Sequence, residues 1–124
     1  MKKLIIICFA AMTMVGCHRE KSASESAEKY YGYLVKGDVD RFLKGVAYFD
    51  SLPETYRSQM QDMYMDYLDR ENRLCSGLLS AKALRDTMIN ENMARVFMEV
   101  CYADSTREEI MVQMVQTDKG WRLF

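Results

Sequence analysis

Cysteine and histidine set the first limits on what this chain can catalyse. It carries four cysteines, at positions 8, 17, 75 and 101, and one histidine, His18. Nucleophilic arrangements of the Cys/His or Ser/His/Asp kind need an imidazole held beside the nucleophile. The sole imidazole instead opens a polar stretch rich in Ser, Glu and Lys, running from His18 to about Ser26. A solvated side chain is its expected state. No spacing of Cys, His, Asp and Glu matches a metal-ligand set, so neither a metal nor another cofactor is expected. Seventeen Lys+Arg against 18 Asp+Glu leave a formal net charge of −1. That lacks the basic excess that phosphate-backbone binding requires, and nucleic acid is excluded as a partner. A length of 124 residues fits one domain.

Cys17 closes a segment unlike the rest of the chain. Lys2 and Lys3 precede an uncharged apolar run from Leu4 to Gly16. The run is shorter than the ~20 apolar residues that a membrane-spanning helix needs, and a charged start followed by such a run reads as a secretory signal. Met14-Val15-Gly16-Cys17 resembles the bacterial lipobox, with Met14 where leucine is usual. The resemblance implies cleavage before Cys17 and acylation of Cys17 through its sulfur. Each buried CH₂ contributes ~0.8 kcal/mol, so two or three chains suffice to anchor the protein. Residues 1–16 are then a lipoprotein signal peptide, 17–26 the acylated cysteine and a tether, and 27–124 the domain. Because His18 rather than aspartate follows Cys17, the resemblance implies a lipid-anchored cell-envelope protein at the outer membrane. Cys75 and Cys101 are the thiols left in the domain. They either form a disulfide or are buried free thiols, and free thiols are favoured.

Within the domain the apolar spacing is helical up to Leu74. Tyr30, Tyr31 and Leu34 mark one short helix, ended by Gly37-Asp38, and Val39, Phe42, Leu43 and Val46 mark a second. Ser51-Leu52-Pro53-Glu54 has the spacing of a capping box for a third. Along it Tyr56, Met60, Met63, Tyr64, Tyr67 and Leu68 form one apolar stripe, which is foremost a core face. Asp62, Asp66, Asp69, Glu71, Arg57 and Arg70 fall mostly on the other, solvated face. After Gly77 the period becomes two. Ala94, Val96, Met98, Val100 and Tyr102 share one side of a strand, and Ile110, Val112 and Met114 one side of the next. Matching apolar faces pairs Val96 with Met114, Met98 with Val112 and Val100 with Ile110 across a loop at Asp104-Ser105-Thr106. Asp118-Lys119-Gly120 is a turn that returns Trp121 and Leu123 to the same face. The sheet is antiparallel with helices over that face. Residues 79–90 have helix propensity at Ser80-Ala81-Lys82-Ala83-Leu84-Arg85, yet Asn90-Glu91-Asn92 reads as a hairpin turn.

The order of these features resembles small bacterial lipoproteins of unknown function, many from Bacteroides-type bacteria, that carry a nuclear transport factor 2-like, or cystatin-like, domain. The resemblance runs through Tyr30-Tyr31, Lys36-Gly37-Asp38, Gly77, Asn90 to Val96, Tyr102-Ala103-Asp104 and Asp118 to Leu123. It implies an α+β fold, a curved antiparallel sheet wrapped around N-terminal helices as a cone with a cavity, and it makes residues 79–90 the first strand. The cavity lining it implies is Met60, Met63, Tyr64, Tyr67, Met98, Tyr102, Met114 and Trp121, suited to a small apolar or amphiphilic ligand. The opposite sheet face presents Phe97, Cys101, Met111 and Val115. That face gives the alternative, a scaffolding module that forms a homodimer or meets an envelope protein. Some members of the superfamily are isomerases or dehydratases that move protons with buried Asp, His or Tyr. No carboxylate is expected on the apolar strand face here. Tyr48, Tyr64, Tyr67, Tyr102 and Asp38 are better explained as packing, turn or surface, so the expectation is that the protein is not an enzyme.

Overall fold

The computed structural model describes residues 22–124, so the signal segment, Cys17 and His18 lie outside the described residues. In chain order the elements are α1 (Ala23–Val35), α2 (Val39–Lys44), a 3-10 turn (Phe49–Ser51), α3 (Glu54–Cys75), β1 (Leu78–Asn90), β2 (Met93–Tyr102), β3 (Arg107–Thr117) and β4 (Gly120–Leu123). The strands form one antiparallel sheet in the order β1-β2-β3-β4. The helices pack on one face of it, giving the expected α+β architecture. No helix among the described residues is long and apolar enough to cross a membrane.

Local chemistry explains most boundaries. Ser22 caps α1, its Oγ accepting from the Glu25 N–H at 3.2 Å, and the helix therefore starts inside the stretch read as tether. Gly37 takes a left-handed conformation at φ +81°, which ends α1. Asp38 then caps α2 by accepting from the Arg41 N–H at 3.2 Å. The capping box expected at Ser51 does not form: Ser51 closes the 3-10 turn, and Pro53 stands at the cap of α3 without a side-chain bond. Helix α3 ends where Ser76 and Gly77 both turn to positive φ.

Residues 78–90 are a strand despite their helix propensity, because β2 supplies a full ladder of partners and α1 covers the result. Glu28 Oε2 accepts from the Ala83 N–H at 3.1 Å, and Ser24 Oγ donates to Asp86. Tertiary pairing overrides intrinsic preference here. A register irregularity at Leu84 separates the Ala83 and Met98 pair from the Arg85 and Phe97 pair, so Arg85 joins the outer face.

The β2 and β3 register differs from the expected one by two residues. Val96 faces Val112, Met98 faces Ile110 and Val100 faces Glu108. The turn is the cause. Ser105 N–H donates to the Tyr102 carbonyl at 3.0 Å, Tyr102 N–H donates to Thr106 O at 2.9 Å, and Ser105 itself sits at φ 76°. A turn followed by one left-handed residue closes the hairpin earlier than the loop anticipated from face matching. Asp104 Oδ1 braces it by accepting from the Thr106 N–H at 3.0 Å. The Thr106 hydroxyl, which also donates to Asp104 Oδ1, holds the Asp104 carboxyl below its ordinary range, and the backbone bond adds to it.

The core is the inner sheet face against α1 and α2. Phe42, Leu34, Leu43, Met98, Met114 and Val96 are its largest fully buried side chains. Ala23, Ala27, Tyr30 and Leu34 repeat at helical spacing along α1 and are all buried. Gly45 lies so close to the Tyr30 ring that a Cβ there would overlap it. Helix α3 is set more loosely, with none of its residues fully buried.

Candidate functional site

The packed core leaves space toward the end of the sheet where β2 and β3 meet. A cavity of about 400 Å³ opens there, lined by Tyr31 and Leu34 from α1, Tyr64, Tyr67 and Glu71 from α3, and Tyr102, Glu108, Ile110 and Met111 from the sheet. Two observations explain how the chain builds it. On α3 the inward-facing line is Arg57, Met60, Tyr64, Tyr67, Leu68, Glu71 and Cys75, all half-buried, so Glu71 and Arg57 turn inward from the face assigned to solvent. On β3 the alternation that turns Ile110, Val112 and Met114 inward extends to Glu108, which the register sets opposite Val100 with its carboxylate beside Tyr102.

Its polar contacts follow from that placement. Tyr102, only 6% exposed, donates its hydroxyl to Glu108 Oε2 at 2.8 Å. Phe42 holds Tyr31 and Tyr64 edge-on, at centroid distances of 5.4 and 4.8 Å. Burial pushes the Tyr31 phenol up to about 12, with the neighbouring Tyr64 and Tyr67 phenols adding to it. Burial raises Tyr64 and Tyr67 in the same way, and contact with the Tyr102 hydroxyl partly offsets the rise at Tyr67. Tyr102 is also raised, by burial first and then by its bond to Glu108. The phenols therefore stay neutral through the physiological range and present donors and ring faces, while Glu71 and Glu108 present acceptors. The Cys75 thiol at the end of α3 is raised above its ordinary value, by desolvation first and then by the Asp104 and Glu71 carboxylates. Cys75 and Cys101 are both free thiols. Among the described residues no group of three or more His, Cys, Asp or Glu is placed to hold a metal ion.

Of the lining expected from sequence, Tyr64, Tyr67 and Tyr102 do meet at this cavity. The others do not. Met98 and Met114 are 0% exposed and fill the interior that the cone would otherwise leave open. Met60 packs against the core beside Tyr64, and Met63 is 57% exposed on the flank of α3. Trp121 lines a separate surface cavity of about 420 Å³ with Tyr30, Lys29 and Arg122. On the outer sheet face Phe97 is half-buried beneath Arg85, whose guanidinium lies 4.5 Å from the ring centroid and pairs with Glu109 at 2.9 Å. Cys101 and Val115 are half-buried there, and Met111 is exposed and also borders the tyrosine cavity. Sequence reasoning missed Tyr31, Glu71 and Glu108. The alternation that runs from Ile110 to Met114 extends back to Glu108, and that signal could have found it.

No family model and no curated protein matches this chain. Among solved structures, it is similar to a protein of Campylobacter jejuni named as a "Putative NTF2-like transpeptidase", with a TM-score of 0.62 and 14% sequence identity over 78% of this chain and 92% of that one. At that identity the likeness shows the fold. The domain has a nuclear transport factor 2-like fold, helices against a four-stranded antiparallel sheet. The expectation that the protein is not an enzyme is corrected on this finding, since the similar fold belongs to a protein named as a transpeptidase. The premise of that expectation also fails, because Glu108 does place a carboxylate on the inner strand face, bonded to Tyr102.

Proposed function

We propose that this chain is a lipid-anchored envelope protein whose domain binds a small amphiphilic molecule in the tyrosine cavity. The observation that carries the reading is the lining itself. Tyr31, Tyr64, Tyr67, Leu34 and Ile110 supply an apolar body, and Glu71, Glu108 and the Tyr102 hydroxyl supply a few convergent polar groups at one side. Concave sites that combine aromatic and aliphatic walls with a small number of placed polar groups suit ligand binding. The fold is compatible with such a role. The lipobox-like Met14-Val15-Gly16-Cys17 supports the anchor, with acyl chains on Cys17 holding the domain at the outer membrane.

Two measurements test the two halves. Metabolic labelling with an alkyne fatty acid marks the full chain and fails to mark Cys17→Ala; equal labelling of both would reject the anchor. Saturation-transfer NMR with a library of soluble amphiphiles gives binders to the wild type that Tyr67→Ala loses. Binders unaffected by Tyr67→Ala would place the ligand elsewhere.

A further inference from the structure

The cavity's charge is one-sided. Its lining holds Glu71 and Glu108 and no lysine or arginine, set among the rings of Tyr31, Tyr64 and Tyr67. Neutral aromatic rings present a negative face, and rings grouped with carboxylates form the kind of site that attracts an organic cation rather than a neutral or anionic molecule. Tyr67 already accepts one cation, since the Arg70 guanidinium lies 5.9 Å from its ring centroid, and Arg70 is not among the cavity residues. Glu108 spends one oxygen on the Tyr102 hydroxyl, and Glu71 lies near the Cys75 thiol and helps to raise it. A carboxylate has two oxygens and about four acceptor sites, so each keeps capacity for a ligand.

We infer that the cavity selects a small organic cation, an alkylated ammonium group, with the tyrosine rings around the alkyl groups and Glu71 and Glu108 facing the charge. The inference rests on the ligand-binding reading of this cavity and adds the chemical class. The wall is built for it in two ways. The rings offer polarizable apolar surface that costs little desolvation. The raised phenols of Tyr31, Tyr64 and Tyr102 also keep the rings neutral where the cation would sit.

Three soluble probes of nearly one shape separate the outcomes: choline, its neutral isostere 3,3-dimethylbutan-1-ol, and the anionic 3,3-dimethylbutyrate. Each is titrated into the full chain in a non-ionic maltoside detergent and followed by saturation-transfer NMR. Choline binds at least about tenfold more tightly than the alcohol, a difference of ~1.4 kcal/mol, and the anion gives no transfer. Glu108→Gln, which keeps an oxygen for Tyr102, lowers choline affinity about tenfold and leaves the alcohol unchanged; Glu71→Gln serves as the second variant, and circular dichroism verifies the fold of each. Equal affinity for choline and the alcohol would overturn the cation inference while leaving the cavity a binding site. No binding by any of the three would overturn both.

Discussion

Raising the pH across the phenol range should expose the buried tyrosines directly, and Tyr31 allows the size to be worked out. In the folded domain burial pushes its phenol from 10.0 to about 12. Between those values the unfolded chain gives up the proton and the folded chain keeps it, so the unfolded state binds fewer protons and stability falls as pH rises. The contribution is fully present below pH 10 and is lost upward through the folded value. Replacing Tyr31 with Phe removes the titration and keeps the ring against Phe42. Relative to Tyr31→Phe, the wild type should lose about 1.4 kcal/mol by pH 11 and about 2 kcal/mol by pH 12. Using the difference between the two proteins cancels the other groups that ionise in this window, among them Cys75, Tyr64 and Tyr67. Urea unfolding followed by circular dichroism at half-unit steps from pH 8 to 12 gives the two curves, and absorbance near 295 nm counts phenolates in the folded state. Parallel curves, with no divergence above pH 10, would refute the placement of Tyr31 in a desolvated cavity wall.

Other substitutions probe the turn, the core and the closest backbone contact. Ser105→Gly removes a left-handed serine and should raise stability by roughly 0.5–1 kcal/mol, seen as a higher midpoint in calorimetry; an unchanged or lower midpoint would contradict the turn described above. Met98→Ala should cost about 2–5 kcal/mol, because the side chain is 0% exposed, whereas Met63→Ala should stay within about 0.5 kcal/mol. Similar urea midpoints for those two variants would mean that the cone interior is not filled as described. Gly45→Ala forces a methyl into the Tyr30 ring and should destabilise by about 1–3 kcal/mol or more, although its backbone φ of −80° suits alanine, again measured by urea unfolding.

What could be read from sequence divides along physical lines. The inner face of β2 was legible because every second residue from Ala94 to Tyr102 is buried, and a period of two leaves no other choice of face. Its register with β3 was not. A shift of two residues keeps both apolar faces matched, so face matching cannot tell Val96 opposite Met114 from Val96 opposite Val112. The decision belongs to Ser105, a residue type that seldom adopts positive φ, and no composition rule flags it. The shift moves Glu108 from opposite Tyr102 to opposite Val100, and the Tyr102 hydroxyl still reaches its carboxylate. On α3 the stripe was legible but its phase was off by part of a turn. Large residues at Tyr56 and Met63 drew the stripe toward themselves, and the inward line instead runs through Arg57, Tyr64 and Glu71. Strand β1 became legible only through the family resemblance. Its residues favour a helix locally, and the partners that make it a strand lie in β2 and α1. The cavity expected throughout the cone is confined to one end, because Met98 and Met114 are long enough to fill the middle.

On the proposed function, the space between Tyr31, Tyr64, Tyr67 and Glu108 holds a ligand. Native mass spectrometry of the full chain, purified from its native host in mild detergent, checks this, with Tyr64→Ala, Tyr67→Ala and the exposed Met63→Ala run alongside. The expected result is a small-molecule adduct on the wild type and on Met63→Ala that is lost from both tyrosine variants. No adduct on the wild type, or one retained by Tyr64→Ala and Tyr67→Ala alike, would contradict it.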